Sequence, residues 1–271
     1  MRDRTNLALG AIWEETVAFV RAELSLLLPV AMLGFGLPTV VMLLAVPMEA
    51  TQVGMLKPGL WMLWFLPCGA LSMLGSLAVS ALALRPGVSV RESLGVAVSR
   101  MPSALGLFLL YVGLQLAMAV PLGLISVIEL KVAGQIGPVS MIANLACIAV
   151  TIWLFVRLMP IWAVLSDRPQ RPWEAVRAAF RLTRGCYPKL LLLRVVMVFA
   201  SLLLMLVLLI PIGAIAQLIG TLAGGTSVSI ILSFVATGAM VAVIGGIWTV
   251  FVARLYRRLD ASVNGVPISG M

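Results

Sequence analysis

The chain has 271 residues, of which 62% are apolar and 11% charged, with 19 Lys/Arg against 10 Asp/Glu and no histidine. A mean hydropathy of +1.14, together with a charged fraction less than half of the roughly 25% usual in soluble domains, excludes a water-soluble globular protein. The net charge of +9 does not mark a nucleic-acid binder, because the basic residues flank apolar stretches and form no single patch with interleaved aromatics.

A helix crossing the roughly 30 Å hydrocarbon layer at about 1.5 Å per residue needs about 20 apolar residues. Six stretches meet that requirement, near Leu24 to Pro47, Trp61 to Leu84, Ala104 to Ile128, Met141 to Leu165, Leu190 to Ile215 and Val228 to Ala253. The first follows Glu14, Glu15 and Glu23 and carries no small-residue cleavage site, so it is expected as a retained span. Residues 1–24, 85–103, 166–189 and 254–271 hold fifteen Lys/Arg, whereas the loops on the other side hold Lys57 and Lys131. Cytoplasmic segments beside membrane spans collect Lys and Arg, which predicts that both termini are cytoplasmic.

A mixed segment precedes each pair of spans, with a period of about 80 residues. The first reads Trp13-Glu14-Glu15-Thr16-Val17-Ala18-Phe19-Val20-Arg21 and the third Trp173-Glu174-Ala175-Val176-Arg177-Ala178-Ala179-Phe180-Arg181. The middle copy, from Arg91 and Glu92 to Ser99, keeps the Glu and the apolar rhythm. The expected fold is therefore all-α, a polytopic six-helix transmembrane bundle forming one integral membrane domain. Three repeats of interfacial amphipathic helix plus transmembrane hairpin build it, at about 8–84, 88–166 and 171–258.

In the third copy Val176 and Phe180 share one face, while Arg177, Arg181 and Arg184 fall on the adjacent face at helical spacing. Pro172 is placed to open that helix and Gly185 to close it. With Trp173, these arginines are the candidate contacts to anionic phospholipid or to an unidentified protein partner; the alternative is a connector that only covers the bundle. Within the spans, Arg157 and Arg194 are the candidate intramembrane functional groups, since a cation in hydrocarbon is costly. Each has a plainer alternative: Arg194 within snorkelling reach of the headgroups, and Arg157 as an anchor at the membrane edge, with Pro160 placed to break its helix. Gln115, Asn144, Thr151, Gln217 and Thr237 are scattered and disfavour a hydrophilic pore. Ser72-Ser76-Ser80 and Gly238-Ala242-Gly246 read as close helix contacts.

The run Ala175-Val176-Arg177-Ala178-Ala179-Phe180-Arg181-Leu182-Thr183-Arg184-Gly185, followed by an apolar span, resembles the glycerophosphodiester phosphodiesterase membrane-domain family of bacterial inner-membrane proteins. That family carries Ala-Leu, then Ser-Trp, then Leu-Thr-Arg-Gly ahead of its fifth span. Here Ala179 stands where the family often has Ser and Phe180 where it often has Trp. The resemblance implies a membrane module in a bacterial inner membrane, and no hydrolysis, since the soluble catalytic domain and its histidines are missing.

Chemistry is sparse in the remaining residues. Cys68, Cys147 and Cys186 have no paired spacing, which supports neither a disulfide framework nor a zinc site. Without imidazole, and with no Ser or Cys beside a base, the chain is expected to be no enzyme and to use no cofactor. The leading expectation is a non-catalytic inner-membrane protein whose basic interfacial helices bind anionic lipid or a partner, in envelope maintenance. The competing one is a transporter or lipid-translocating protein using Arg157.

Overall fold

The computed structural model describes residues 9–47, 59–85, 87–134, 137–222 and 225–264, all in helices and short connections. Arg2, Arg4 and Lys57, counted above among the loop charges, lie outside the described residues. In chain order come α1 (Leu9–Ala22), α2 (Leu24–Ala31), a π-helical turn (Met32–Gly36), α3 (Leu37–Ala45) and a 3-10 turn (Leu60–Trp64) that leads into α4 (Phe65–Leu84). There follow α5 (Val90–Ala133), α6 (Pro138–Arg157), α7 (Ile161–Asp167), α8 (Pro172–Thr183), α9 (Tyr187–Leu222) and α10 (Thr226–Asn264). Six runs are long and apolar enough to cross a membrane: Leu24–Ala45, Leu60–Leu84, Val90–Val132, Pro138–Asp167, Tyr187–Leu222 and Val228–Ser262. They cover five of the six expected stretches in full, and the first to within two residues of Pro47.

The spans are not equivalent. The most apolar windows of the first, second and sixth are 33%, 33% and 22% buried, against 0%, 11% and 6% for the third, fourth and fifth. Glycine explains the close centre. Pro38 has no N–H to give the Gly34 carbonyl, and the helix there relaxes into π register, with the Leu37 N–H reaching the Met32 carbonyl five residues back. This turn presents Gly34 to Gly75 of α4 and Gly36 to Gly238 of α10. A Cβ on Gly34 would lie 2.4 Å from the Gly75 Cα, and one on Gly238 2.9 Å from the Gly36 oxygen. Gly246 of α10 faces the Ala31 methyl in the same seam. Hydrocarbon supplies no hydrophobic drive between helices, so backbone approach of this kind is what holds spans together. The expected close contact through Gly238, Ala242 and Gly246 is present; the glycine pair at 34 and 75 was not foreseen.

Two elements depart from the expected layout. The second mixed segment is no separate interfacial helix: α5 runs unbroken through 44 residues, about 66 Å at 1.5 Å per residue, and so projects well beyond a membrane about 30 Å thick. A capping box starts it, with the Ser89 hydroxyl accepting the Glu92 N–H at 3.3 Å and the Glu92 carboxylate accepting the Ser89 N–H at 3.0 Å. The fourth span, by contrast, is broken. Helix α6 stops at Arg157 and α7 restarts after Pro160, so the continuous helix that would carry Arg157 deep below Leu165 does not exist.

All four basic segments meet at one end of the bundle. Glu15 of α1 pairs with Arg258 of α10, Ser103 of α5 donates to the Gln170 carbonyl at 3.0 Å, and Arg168 bridges Asp167 and Asp260 at 3.3 Å each. Arg85 donates to the Asp167 carbonyl at 3.2 Å, satisfying an orphan carbonyl at the end of α7. At the opposite end the Glu129 carboxylate accepts the N–H groups of Gly137, Val139 and Ser140 at 2.9, 3.2 and 3.2 Å, capping the start of α6.

Candidate functional site

Helix α8 starts at Pro172, where the Glu174 carboxylate accepts the Arg171 N–H at 3.2 Å, and gives way to Gly185 at φ +90°. Both sequence signals for its ends hold. Its inner face is Ala175, Ala179 and Leu182, with Thr183 and Cys186 continuing it, all buried. These small residues seat α8 against the bundle, so the predicted apolar face of Val176 and Phe180 is only half-buried and flanks the true contact. Arg177, Arg181 and Arg184 are exposed. The Arg177 guanidinium lies 5.2 Å from the ring of Trp173, itself exposed.

Arg157 ends α6 beneath this helix. Its guanidinium donates to the Phe180 carbonyl at 3.4 Å and lies 5.4, 5.6 and 5.6 Å from the rings of Trp153, Phe180 and Tyr187. Phe180 sits in the last turn of α8, where carbonyls lack helical partners and the dipole is negative. Arg157 thus ties α6 to the end of α8 and the start of α9. The acceptor that this intramembrane cation takes is a neutral helix-end carbonyl and not an anion.

Arg194 stands in different surroundings. It projects from α9 into a cavity of about 600 Å³ at the centre of the bundle, to which all six spans contribute. Most of the wall is apolar, including Phe35, Met73, Phe108, Trp162 and Met197. The polar groups are few: Ser76, Ser80, Tyr111, Ser201, Thr249 and Arg194. Trp248 spends its N–H on the Ser201 hydroxyl at 2.6 Å, and Ser201 donates to the Met197 carbonyl at 2.8 Å, so this pair is satisfied. Arg194 is not. Its Nε is buried without a hydrogen-bond partner, as is that of Arg157, but unlike Arg157 it makes no other hydrogen bond among the described residues, and the Phe155 ring lies 4.1 Å from the guanidinium carbon. A cation–π contact contributes roughly 0.5–2 kcal/mol, less than the several kcal/mol needed to desolvate an ion.

The cavity has a side opening. Val198 and Leu202 of α9 line it while remaining 46% and 60% exposed, and Phe155 of α6 lines it at 50% exposure. The mouth therefore faces the surroundings between α6 and α9. Sequence reading missed the cavity as a unit, although one signal was present: Arg194, Met197, Val198, Ser201 and Leu202 recur at i, i+3, i+4, i+7 and i+8, a single helical face carrying a cation and a hydroxyl. Nor are the polar residues of the spans all scattered. Gln115 donates to the Tyr111 hydroxyl at 2.9 Å and lies 3.5 Å from the Thr151 hydroxyl, which links α5 to α6 at the cavity edge. Among the described residues no group of three or more His, Cys, Asp or Glu is placed to hold a metal ion.

No family model, curated protein or solved structure matches the chain.

Proposed function

We propose that this is a non-catalytic multi-pass protein of a bacterial inner membrane, with both termini in the cytoplasm, that holds anionic phospholipid headgroups on the basic surface of α8 and serves envelope maintenance. One observation carries the reading: α8 spends its small-residue face on the bundle and leaves Arg177, Arg181 and Arg184 outward, with no ion pair to any of them among the described residues. A cation beside an anionic leaflet gains about 1 kcal/mol. The loop charges support the orientation. We further read the chain as three repeats; the shared role of Glu92 and Glu174, each accepting the N–H three residues before it, is in keeping with this. Transport through Arg157 gains no support, because that guanidinium is already engaged by the Phe180 carbonyl and three rings.

The test replaces Arg177, Arg181 and Arg184 together with Gln and counts co-purified phosphatidylglycerol and cardiolipin by native mass spectrometry. Loss of most of the bound anionic lipid from a chain that stays monodisperse is expected. Unchanged lipid content overturns the reading.

A further inference from the structure

We infer that the central cavity is a binding site for a single-chain anionic amphiphile, one carboxylate or phosphate head on a long alkyl chain, with the head at Arg194. Independent of the α8 reading, it involves different residues on a different face. A volume of about 600 Å³ falls in the roughly 300–1,000 Å³ range of ligand pockets. The arrangement of the wall then selects the chemistry. Along α9 the lining runs from Arg194 to Leu202, about 12 Å of helix. The cation stands toward the end where the basic segments meet, while Met197, Val198 and Leu202 lie deeper. A ligand must bring a negative group to the first level and methylenes to the second.

Neutral or cationic occupants are disfavoured by the same geometry. Arg194 has no carboxylate within ion-pair distance and no hydrogen bond in the described structure, and the hydroxyls of Ser76 and Ser201 already donate to the carbonyls of Ser72 and Met197. A carboxylate or phosphate supplies the charge-assisted hydrogen bonds that the guanidinium lacks. The side opening between Phe155 and the Val198–Leu202 face lets an alkyl chain pass from hydrocarbon into the cavity without crossing water. Trp162 and Trp248 form part of the wall, so a ligand seated there reports itself optically.

The experiment measures quenching of tryptophan fluorescence by 9,10-dibromostearate in the detergent-solubilised full-length chain. Saturable quenching is expected, displaced by oleate and by 1-oleoyl lysophosphatidic acid but not by oleyl alcohol or by lysophosphatidylcholine. Stronger displacement by oleate or by the lysophosphatidic acid identifies the natural head as carboxylate or phosphate. The Arg194→Gln variant is expected to weaken binding by about tenfold or more, the loss of one charge-assisted interaction, whereas Arg194→Lys retains part of it. The triple Arg177, Arg181, Arg184 to Gln variant leaves this binding intact, which separates failure here from failure of the α8 reading. Equal displacement by oleyl alcohol, or undiminished affinity in Arg194→Gln, overturns the proposal. The alcohol comparison uses the wild-type chain, so the result stands even if the variant misfolds.

Discussion

The two intramembrane arginines show how one residue type takes opposite roles according to what surrounds it. Arg157 has an acceptor and three rings, and Arg194 has one ring and a cavity. Arg157→Ala is accordingly expected to leave the Phe180 carbonyl with the Thr183 hydroxyl alone, to remove the guanidinium from three rings and to lower unfolding stability in detergent by about 1–2 kcal/mol, while amphiphile binding persists. Arg157→Lys recovers only part of the loss, since an ammonium cannot present a flat face to Trp153, Phe180 and Tyr187. An unfolding midpoint unchanged by both substitutions would refute the tie between α6 and α8. At Gly34 the argument is steric. Alanine there sets a methyl 2.4 Å from the Gly75 Cα, and backbone has no rotamer with which to yield. Gly34→Ala is expected to cost at least the roughly 1–3 kcal/mol typical of overpacking; wild-type thermal stability in that variant would show that the crossing can open. The sequence placed both arginines in spans but left each with two readings, because a residue's name carries its charge and not its neighbours. Gly34 gave no warning, its partner being 41 positions away on another helix.

At the scale of elements, apolar length and helix-end chemistry were readable and backbone continuity was not. Pro160 was read as a break, and α6 ends three residues before it. The mixed segment from Arg91 to Ser99 was read as a separate interfacial helix, yet it is the opening of α5. A change from mixed to apolar composition records a change of solvent, from headgroups or water to hydrocarbon, and the chain turns there only if its hydrogen bonds can be satisfied elsewhere. The Ser89 box starts α5 far upstream instead. Ser89→Ala is expected to cost about 1 kcal/mol and to speed amide hydrogen exchange in the first turns of α5 without touching its apolar half. Exchange as slow as wild type would mean that contacts to neighbouring helices, and not the cap, hold this end. The inward face of α8 carries a related lesson. Val176 and Phe180 are the bulkier pair, but the short side chains of Ala175 and Ala179 permit the closest approach and so decide which side turns inward.

Most of the described charge gathers at one end of the bundle, and this clustering was legible in the sequence, because Lys and Arg beside membrane spans partition by side and not by any one contact. Single cysteines introduced at Lys131 and Arg184 are expected to react with an impermeant maleimide from opposite compartments; labelling of both from the same one would refute the proposed membrane topology. The cavity was hard to read for the converse reason: its lining comes from all six spans, from Phe35 alone in the first to several side chains in the fourth and fifth, and the one local pattern, on α9, does not record their meeting. Ionic strength tells the two proposed sites apart. Raising salt from about 0.1 M to about 1 M shortens the screening length from about 10 Å to about 3 Å, so lipid held on α8 is expected to dissociate while dibromostearate quenching at Arg194 survives. Parallel loss of both would place Arg194 in open solvent. The glycine seam then sets where the fold can give. Spans one, two and six meet main chain to main chain, and α5 and α9 pack closely on α4 and α10, whereas α6 is the most loosely packed of the spans, so a bulkier guest is expected to displace α6 first and to widen the gap between Phe155 and Leu202.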